Sequence, residues 1–171
     1  MTFSNVMVAP ASGTAPLFYK NGTTAITVTG VSTSGHTLTF STNTLLSSSD
    51  YVTLTYDKSG YLKDSMGYSA NAMTVAFGGS GSTTINGSFK YVSGNDGNDS
   101  LNSTYWGGYV LGGNGSDNVF VNSYNLVHLS ESSAAKDVVL VGDGKSNPYS
   151  YAIVCGFNTT GTTTNDVLNL P

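Results

Sequence analysis

Gly94-Asn95-Asp96-Gly97-Asn98-Asp99-Ser100-Leu101-Asn102, then Ser103 to Leu111, then Gly112-Gly113-Asn114-Gly115-Ser116-Asp117-Asn118-Val119-Phe120, is the stretch that decides the fold. Written in steps of nine, its eighth position reads Leu101, Val110 and Val119, and one step back gives Val92. An apolar residue that returns at every ninth position over four steps is a structural period, with one inward side chain per half-coil. The first six positions of each unit form the turn. Glycine suits them because a tight left-turning backbone needs positive φ, and because stacked coils must approach closely.

Two such units make one coil, so every second turn stacks on the same side. Asp99 and Asp117 stand two units apart, whereas the turn between them, Ser103-Thr104-Tyr105-Trp106-Gly107-Gly108, lies opposite and carries no acid. An aspartate at the sixth position offers a hard carboxylate oxygen, and carbonyls freed from sheet pairing add the neutral oxygens that calcium prefers. Gathering Asp96, Asp99 and Asp117 with no nearby lysine costs about 1 kcal/mol per close pair in water, and several times that when partly buried. A divalent ion reverses the sign of that term, so folding and metal binding are expected to be coupled. The spacing predicts one calcium (Ca2+) ion between the turns of Asp99 and Asp117. Glu131, Asp137 and Asp143 are candidates for a second ion on later turns, but none has the full motif.

Outward from the repeat, the texture changes on both sides. Toward the N-terminus, Thr24–Thr29, Thr37–Phe40 and Val52–Tyr56 alternate polar and apolar residues, as half-buried strands do. Asn21-Gly22, Ser34-Gly35 and Ser59-Gly60 punctuate them as turns. Short strands separated by frequent turns predict an immunoglobulin-like sandwich over residues 1–77. Five or six strands are few for such a sandwich, so a truncated domain, or one completed by packing on the region after it, is expected. Toward the C-terminus, Val138–Val141, Ala152–Val154 and Asp166–Leu170 restore longer apolar runs. The fold class predicted is all-β: a partial immunoglobulin-like sandwich (1–77), then a short calcium-binding parallel β-roll with a C-terminal β cap (78–171). The best helical stretch, Ser130 to Lys136, is too short to count as a helix.

Composition narrows the function classes. Only 9% of the 171 residues are charged, against about 25% in an ordinary domain. The net charge of −4 is low, and aromatic residues reach 11%, so the chain reads as folded rather than disordered. Its six basic residues are all lysine, which removes bidentate readout of phosphate or guanine and argues against nucleic acid as a partner. No apolar run approaches the roughly 20 residues of a membrane helix, and no basic-apolar leader follows Met1. Cys155 is the only cysteine, so disulfides do not brace the fold; its apolar setting points to a buried strand position. His36 and His128 have no acid or cysteine at ligand spacing and read as ordinary turn or strand residues. Tyr105-Trp106 could stack on a sugar or a neighbouring subunit, but reads first as an aromatic cover for the roll's end. No catalytic set stands out, and the chain is read as non-enzymatic.

On these residues the chain resembles the RTX proteins, secreted bacterial proteins with the nonapeptide G-G-x-G-x-D-x-(apolar)-x. Gly112 to Phe120 fits that pattern throughout, and Gly94 to Asn102 fits with Asn95 in place of the second glycine. Gly78 to Ile85 fits less well, because Thr83 stands where the aspartate belongs and the segment is out of phase with Gly94. The resemblance implies a ligand set of Gly94, Asp96 (through its carbonyl) and Asp99 in one turn with Gly113, Gly115 and Asp117 in the next. It also implies type I secretion and folding outside the cell. Ile153 to Phe157 and Asp166 to Leu170 resemble the closing stretch of type I-secreted proteins. Tyr56 to Gly67 resembles the end of the SwmB-type repeat of long bacterial surface proteins, with Asp64 capping the turn before Gly67.

The function expected is therefore a calcium-dependent structural segment of a secreted bacterial cell-surface protein, a surface-layer (S-layer) protein whose partners are neighbouring copies. Two alternatives stand beside it: the ligand-binding region of an RTX adhesin, with cell-surface glycans as partners, and the calcium-binding module of a secreted enzyme.

Overall fold

The computed structural model describes residues 4–8, 15–121, 124–129, 135–142, 152–158 and 165–169. Every regular element among them is a strand. The Ser130 to Lys136 stretch lies largely outside the described residues, and so do Glu131 and Asp143. The chain divides into two compact units, Met1–Leu46 with Thr53–Thr74, and Ser47–Val52 with Val75–Pro171.

In the first unit, β1 (Leu17–Lys20) and β2 (Thr24–Ile26) form an antiparallel hairpin, as do β3 (Val28–Ser34) and β4 (Thr37–Thr42). Their turns sit where the sequence places them. Asn21 and Gly22 turn the first with φ of 51° and 71°, the mirror-type geometry that matches strand twist; Gly35, at φ 55°, turns the second. The alternating stretch Thr24–Thr29 is not one strand. It changes partner after Ile26, and β3 carries an irregularity between Val28 and Gly30, the kind of bend that an interior glycine permits. β5 (Val52–Tyr56) lies beside β1. Asp64 is buried and caps the turn to Gly67: its Oδ1 accepts from the amides of Met66 (3.0 Å) and Tyr68 (2.9 Å). Asn5 donates to its other oxygen at 2.7 Å, and that bond, with the backbone amides, holds the carboxyl below the usual range against the opposing effect of burial.

The second unit is a β-solenoid. One face carries β6 (Met73–Phe77), β8 (Tyr91–Asp96), β10 (Tyr109–Asn114), β12 (Leu126–His128) and β14 (Ile153–Cys155), paired in parallel in that order. The other carries β7 (Thr84–Gly87), β9 (Ser100–Ser103), β11 (Asn118–Val121), β13 (Val138–Val141) and β15 (Val167–Asn169). Parallel pairing keeps equivalent residues in columns. Ala76, Val92, Val110, Val127 and Val154 align on the first face, and Ile85, Leu101, Val119, Val139 and Leu168 on the second.

Apart from Val154 and Leu168, these residues are fully or nearly fully buried, and together they make most of the unit's apolar core. The period of nine therefore marks the two inner walls. β-branched valine and isoleucine suit these positions because a pleated strand accommodates their stiff χ1 without loss. Burying one such side chain contributes about 1.5–3 kcal/mol.

Candidate metal centre

Along one edge of the solenoid, just before the strands of the second face, runs a ladder of side-chain to backbone hydrogen bonds. The amide of Asp99 donates to Oδ1 of Asp117 at 2.8 Å, and the amide of Asp117 donates to Oδ1 of Asp137 at 2.8 Å. The amide of Asp137 in turn donates to Oδ1 of Asp166 at 2.9 Å. Thr83 closes the ladder at its first rung, since both its amide (2.7 Å) and its Oγ1 (2.8 Å) donate to Oδ1 of Asp99. Asp166 closes it at the last, its Oδ2 accepting from the amide of Asn158 at 2.6 Å.

In the middle of the ladder the second carboxylate oxygens are in a different state. Oδ2 of Asp99 and Oδ2 of Asp117 are buried and have no hydrogen-bond partner. Each residue is only 1% exposed. Leaving a buried acceptor unsatisfied costs about 1–3 kcal/mol, and more when it is charged. The carboxyls respond as electrostatics requires. Burial raises Asp99, helped by the charge of Asp96 and opposed by the Thr83 hydrogen bonds. Burial pushes Asp117 up to about 7; Asp137 and Asp99 add to the rise, and the Asp99 amide resists it.

The glycines frame these oxygens. A Cβ on Gly94 would collide with Oδ2 of Asp99 and with the carbonyl oxygen of Gly112, so only a bare Cα leaves those two oxygens room. Gly112 stands to Asp117 as Gly94 does to Asp99, with Oδ2 at 2.6 Å from an added Cβ. Gly113 and Gly115, at φ 108° and 121°, press their Cα atoms on the carbonyls of Asn95 and Gly97 in the preceding coil.

Of the six residues that the sequence nominates, Gly94, Asp99 and Asp117 thus lie on one buried wall, whereas Gly113 is in β10, paired with Asn95 of β8, and only Gly115 lies in the turn that follows. The first three positions of each nonapeptide, expected as turn, are strand, because parallel stacking of the coils extends the sheet through them. The Asp96 carboxylate stays outside, exposed, and accepts from Asn114 Nδ2 at 2.7 Å. Its carbonyl is the only part the expectation requires.

This donor set fits a hard divalent cation. Two buried, unpartnered carboxylate oxygens would be satisfied by a proton or by a cation, and the carbonyl of Gly112 beside Gly94 is a neutral oxygen of the kind calcium accepts. Among the described residues no cluster of three or more His, Cys, Asp or Glu side chains is placed to hold a metal, so any ion here would depend on backbone oxygens for most of its shell.

Two members of the ladder, Asp137 and Asp166, lie beyond what the repeat predicts, because neither belongs to a nonapeptide. Both carry the same local signal, an aspartate just before an apolar strand: Asp137-Val138-Val139 and Asp166-Val167-Leu168. The sequence separation between rungs stretches from 18 to 20 and then 29 along the ladder.

Thr83, out of phase with the nonapeptides, is nonetheless in register: Thr84 pairs with Ser100, and Ile85 with Leu101. The turn between β9 and β10 on the opposite edge holds no acid, as expected. Trp106 does not cover an end of the roll, however. It lies in that same turn, and its side chain is 70% exposed. Cys155 is half-buried on β14 rather than buried. His36 occupies an exposed turn and His128 a strand.

The fold and this edge define an all-β solenoid with an aspartate ladder along one side. The chain matches no family model, no curated protein and no solved structure.

Proposed function

We propose that the chain is a calcium-dependent, non-enzymatic structural segment of a secreted bacterial cell-surface protein, an S-layer protein that assembles with its neighbours. The observation that carries the metal is the pair of buried, unpartnered Oδ2 atoms of Asp99 and Asp117 on successive rungs. A cation between Asp99 and Asp117, held also by carbonyls at the ends of β8 and β10 around Gly94, Gly113 and Gly115, would change a repulsive column into a clasp. In this reading residues 78–171 form an RTX-type β-roll with a C-terminal cap, and residues 1–77 form a partial immunoglobulin-like domain of SwmB type. Few charges and an abundance of Ser, Thr, Asn and Gly suit a protein that packs against copies of itself.

Asp117→Asn tests the metal without disturbing shape, because the asparagine oxygen can still accept from the Asp99 amide. With calcium present, the variant should melt below the wild type, by about 2–3 kcal/mol of lost binding energy at saturating ion. In EGTA at about pH 8 it should melt at the same temperature or higher, since the buried charge is gone. A variant more stable in both buffers would reject calcium at this wall. Sedimentation of the parent protein in millimolar calcium tests assembly, and large sheets are expected. A protein that stays monomeric in calcium while binding glycans or cells would favour the adhesin reading, glycan binding by an assembling protein being compatible with either.

A further inference from the structure

The edge opposite the aspartates carries a second periodic pair. Trp106 and Tyr124 stand two nonapeptide lengths apart, at equivalent turn positions of successive coils. Their ring centroids lie 4.7 Å apart at an interplanar angle of 56°, which matches the rise of about 4.7–4.9 Å between paired strands. Trp106 is 70% exposed and its neighbour Tyr105 37%. A single exposed apolar side chain is ordinary, but Tyr105, Trp106 and Tyr124 gather three aromatic rings on adjoining turns of one edge.

Two features set the geometry around the rings, of which Tyr124 is half-buried. Tyr124 adopts φ 54°, a left-handed backbone that a bulky side chain rarely takes and that concentrates at ligand clamps. Asn125, buried beneath, donates from Nδ2 to the carbonyl of Tyr105 at 3.2 Å and fixes the Trp106 turn from below.

We propose that Trp106 and Tyr124 form a stacking platform for a pyranose ring of a neutral or anionic polysaccharide. The C–H face of a sugar ring lies well on an aromatic face; the indole of Trp106 alone is large enough for one such ring, and Tyr124, tilted by 56° against it, braces its flank. A second protein copy is a poor occupant, because a stable interface needs about 800 Å² from each partner and a core of many residues. Nucleic acid would also stack, but a chain with a net charge of −4 and no arginine lacks the electrostatic means to hold it. Among the described residues of this edge the only charge is Lys90, one coil earlier, which tolerates a uronate and disfavours a cationic polymer. The platform does not depend on a metal at the far edge.

Trp106 is the sole tryptophan, so the intact chain reports on this site by its own emission. Titration with soluble glucan, mannan and alginate should give a saturable quench or shift with at least one of them; a neutral or a uronate ligand is identified by which polymer acts. Tyr124→Ala keeps the reporter and should weaken that binding roughly tenfold while the far-ultraviolet spectrum stays unchanged. Trp106→Ala, read by retardation in gels containing the active polymer, should lose it altogether. Emission unmoved by the whole panel would overturn the proposal. So would a change that tracks protein concentration and coincides with a dimer in sedimentation, which would make the platform a contact between copies.

Discussion

Asp117 sits in the middle of the ladder, with Asp99 before it and Asp137 after it, and its carboxyl is pushed up to about 7 by burial first and by those two neighbours next. A folded-state value above the unfolded one means that the protonated carboxyl favours the folded state. That contribution is complete below the ordinary carboxylate range near 4 and is lost as pH rises through about 7. Asp99 shifts in the same direction. Asp64 shifts the other way, so its contribution is lost only in stronger acid, below the ordinary carboxylate range. Between about pH 5 and about pH 8, then, the metal-free protein should grow less stable as pH rises, and its melting temperature in EGTA should fall. Calcium requires the ionised carboxylates, so the gap between the calcium and EGTA melting curves should widen over the same range. Parallel curves with a constant gap would mean that no ladder carboxylate takes part.

At the scale of the strand and turn, the core walls are open to reading because they follow one number. Val92, Leu101, Val110 and Val119 recur in steps of nine, and each is buried at its predicted position. The coils on either side obey the same physics with different loop lengths. On the first face the offset between paired strands is uneven, as the partners Val75–Tyr91, Tyr91–Tyr109, Tyr109–Leu126 and Leu126–Ile153 show. A strict period finds the middle coils and loses the outer ones, although lengthening a surface turn adds only a slowly growing entropy cost. Asp137 and Asp166 escape it for that reason, not for want of a local pattern. The exposure of Trp106 is beyond sequence reasoning on other grounds: a turn aromatic looks alike whether it folds over an end or points into solvent. The close approach of neighbouring coils is itself testable. Gly113→Ala would place a methyl against the Asn95 carbonyl at φ 108°. It should destabilise the solenoid by about 1–3 kcal/mol in calcium and in EGTA alike, seen as equal losses in urea midpoints. A loss confined to calcium buffer would mean that Gly113 acts only through the ion.

For the molecule as a whole, the two units differ in what a cation could do for them. The solenoid holds the entire aspartate ladder, whose amides at Asp99, Asp117 and Asp137 are bonded to carboxylates of the next coil. The β3–β4 hairpin belongs to the other unit, and its strands contain no acidic residue. An ion present at about a hundred times its dissociation constant stabilises whatever unit it binds by about 2.7 kcal/mol, roughly a hundredfold in protection of amides that exchange through opening of that unit. Chelation should accordingly speed hydrogen exchange across β8 to β11 by up to about that factor and leave β3 and β4 close to their starting rates. Peptide-level mass spectrometry resolves the two groups. Equal acceleration in both would tie the units into one cooperative block, and no acceleration in either would remove calcium from the account. Acceleration restricted to the peptides around Asp99 and Asp117, with β6 and β7 unaffected, would mark the clasp as local, one ion stiffening the coils it touches rather than the solenoid from end to end.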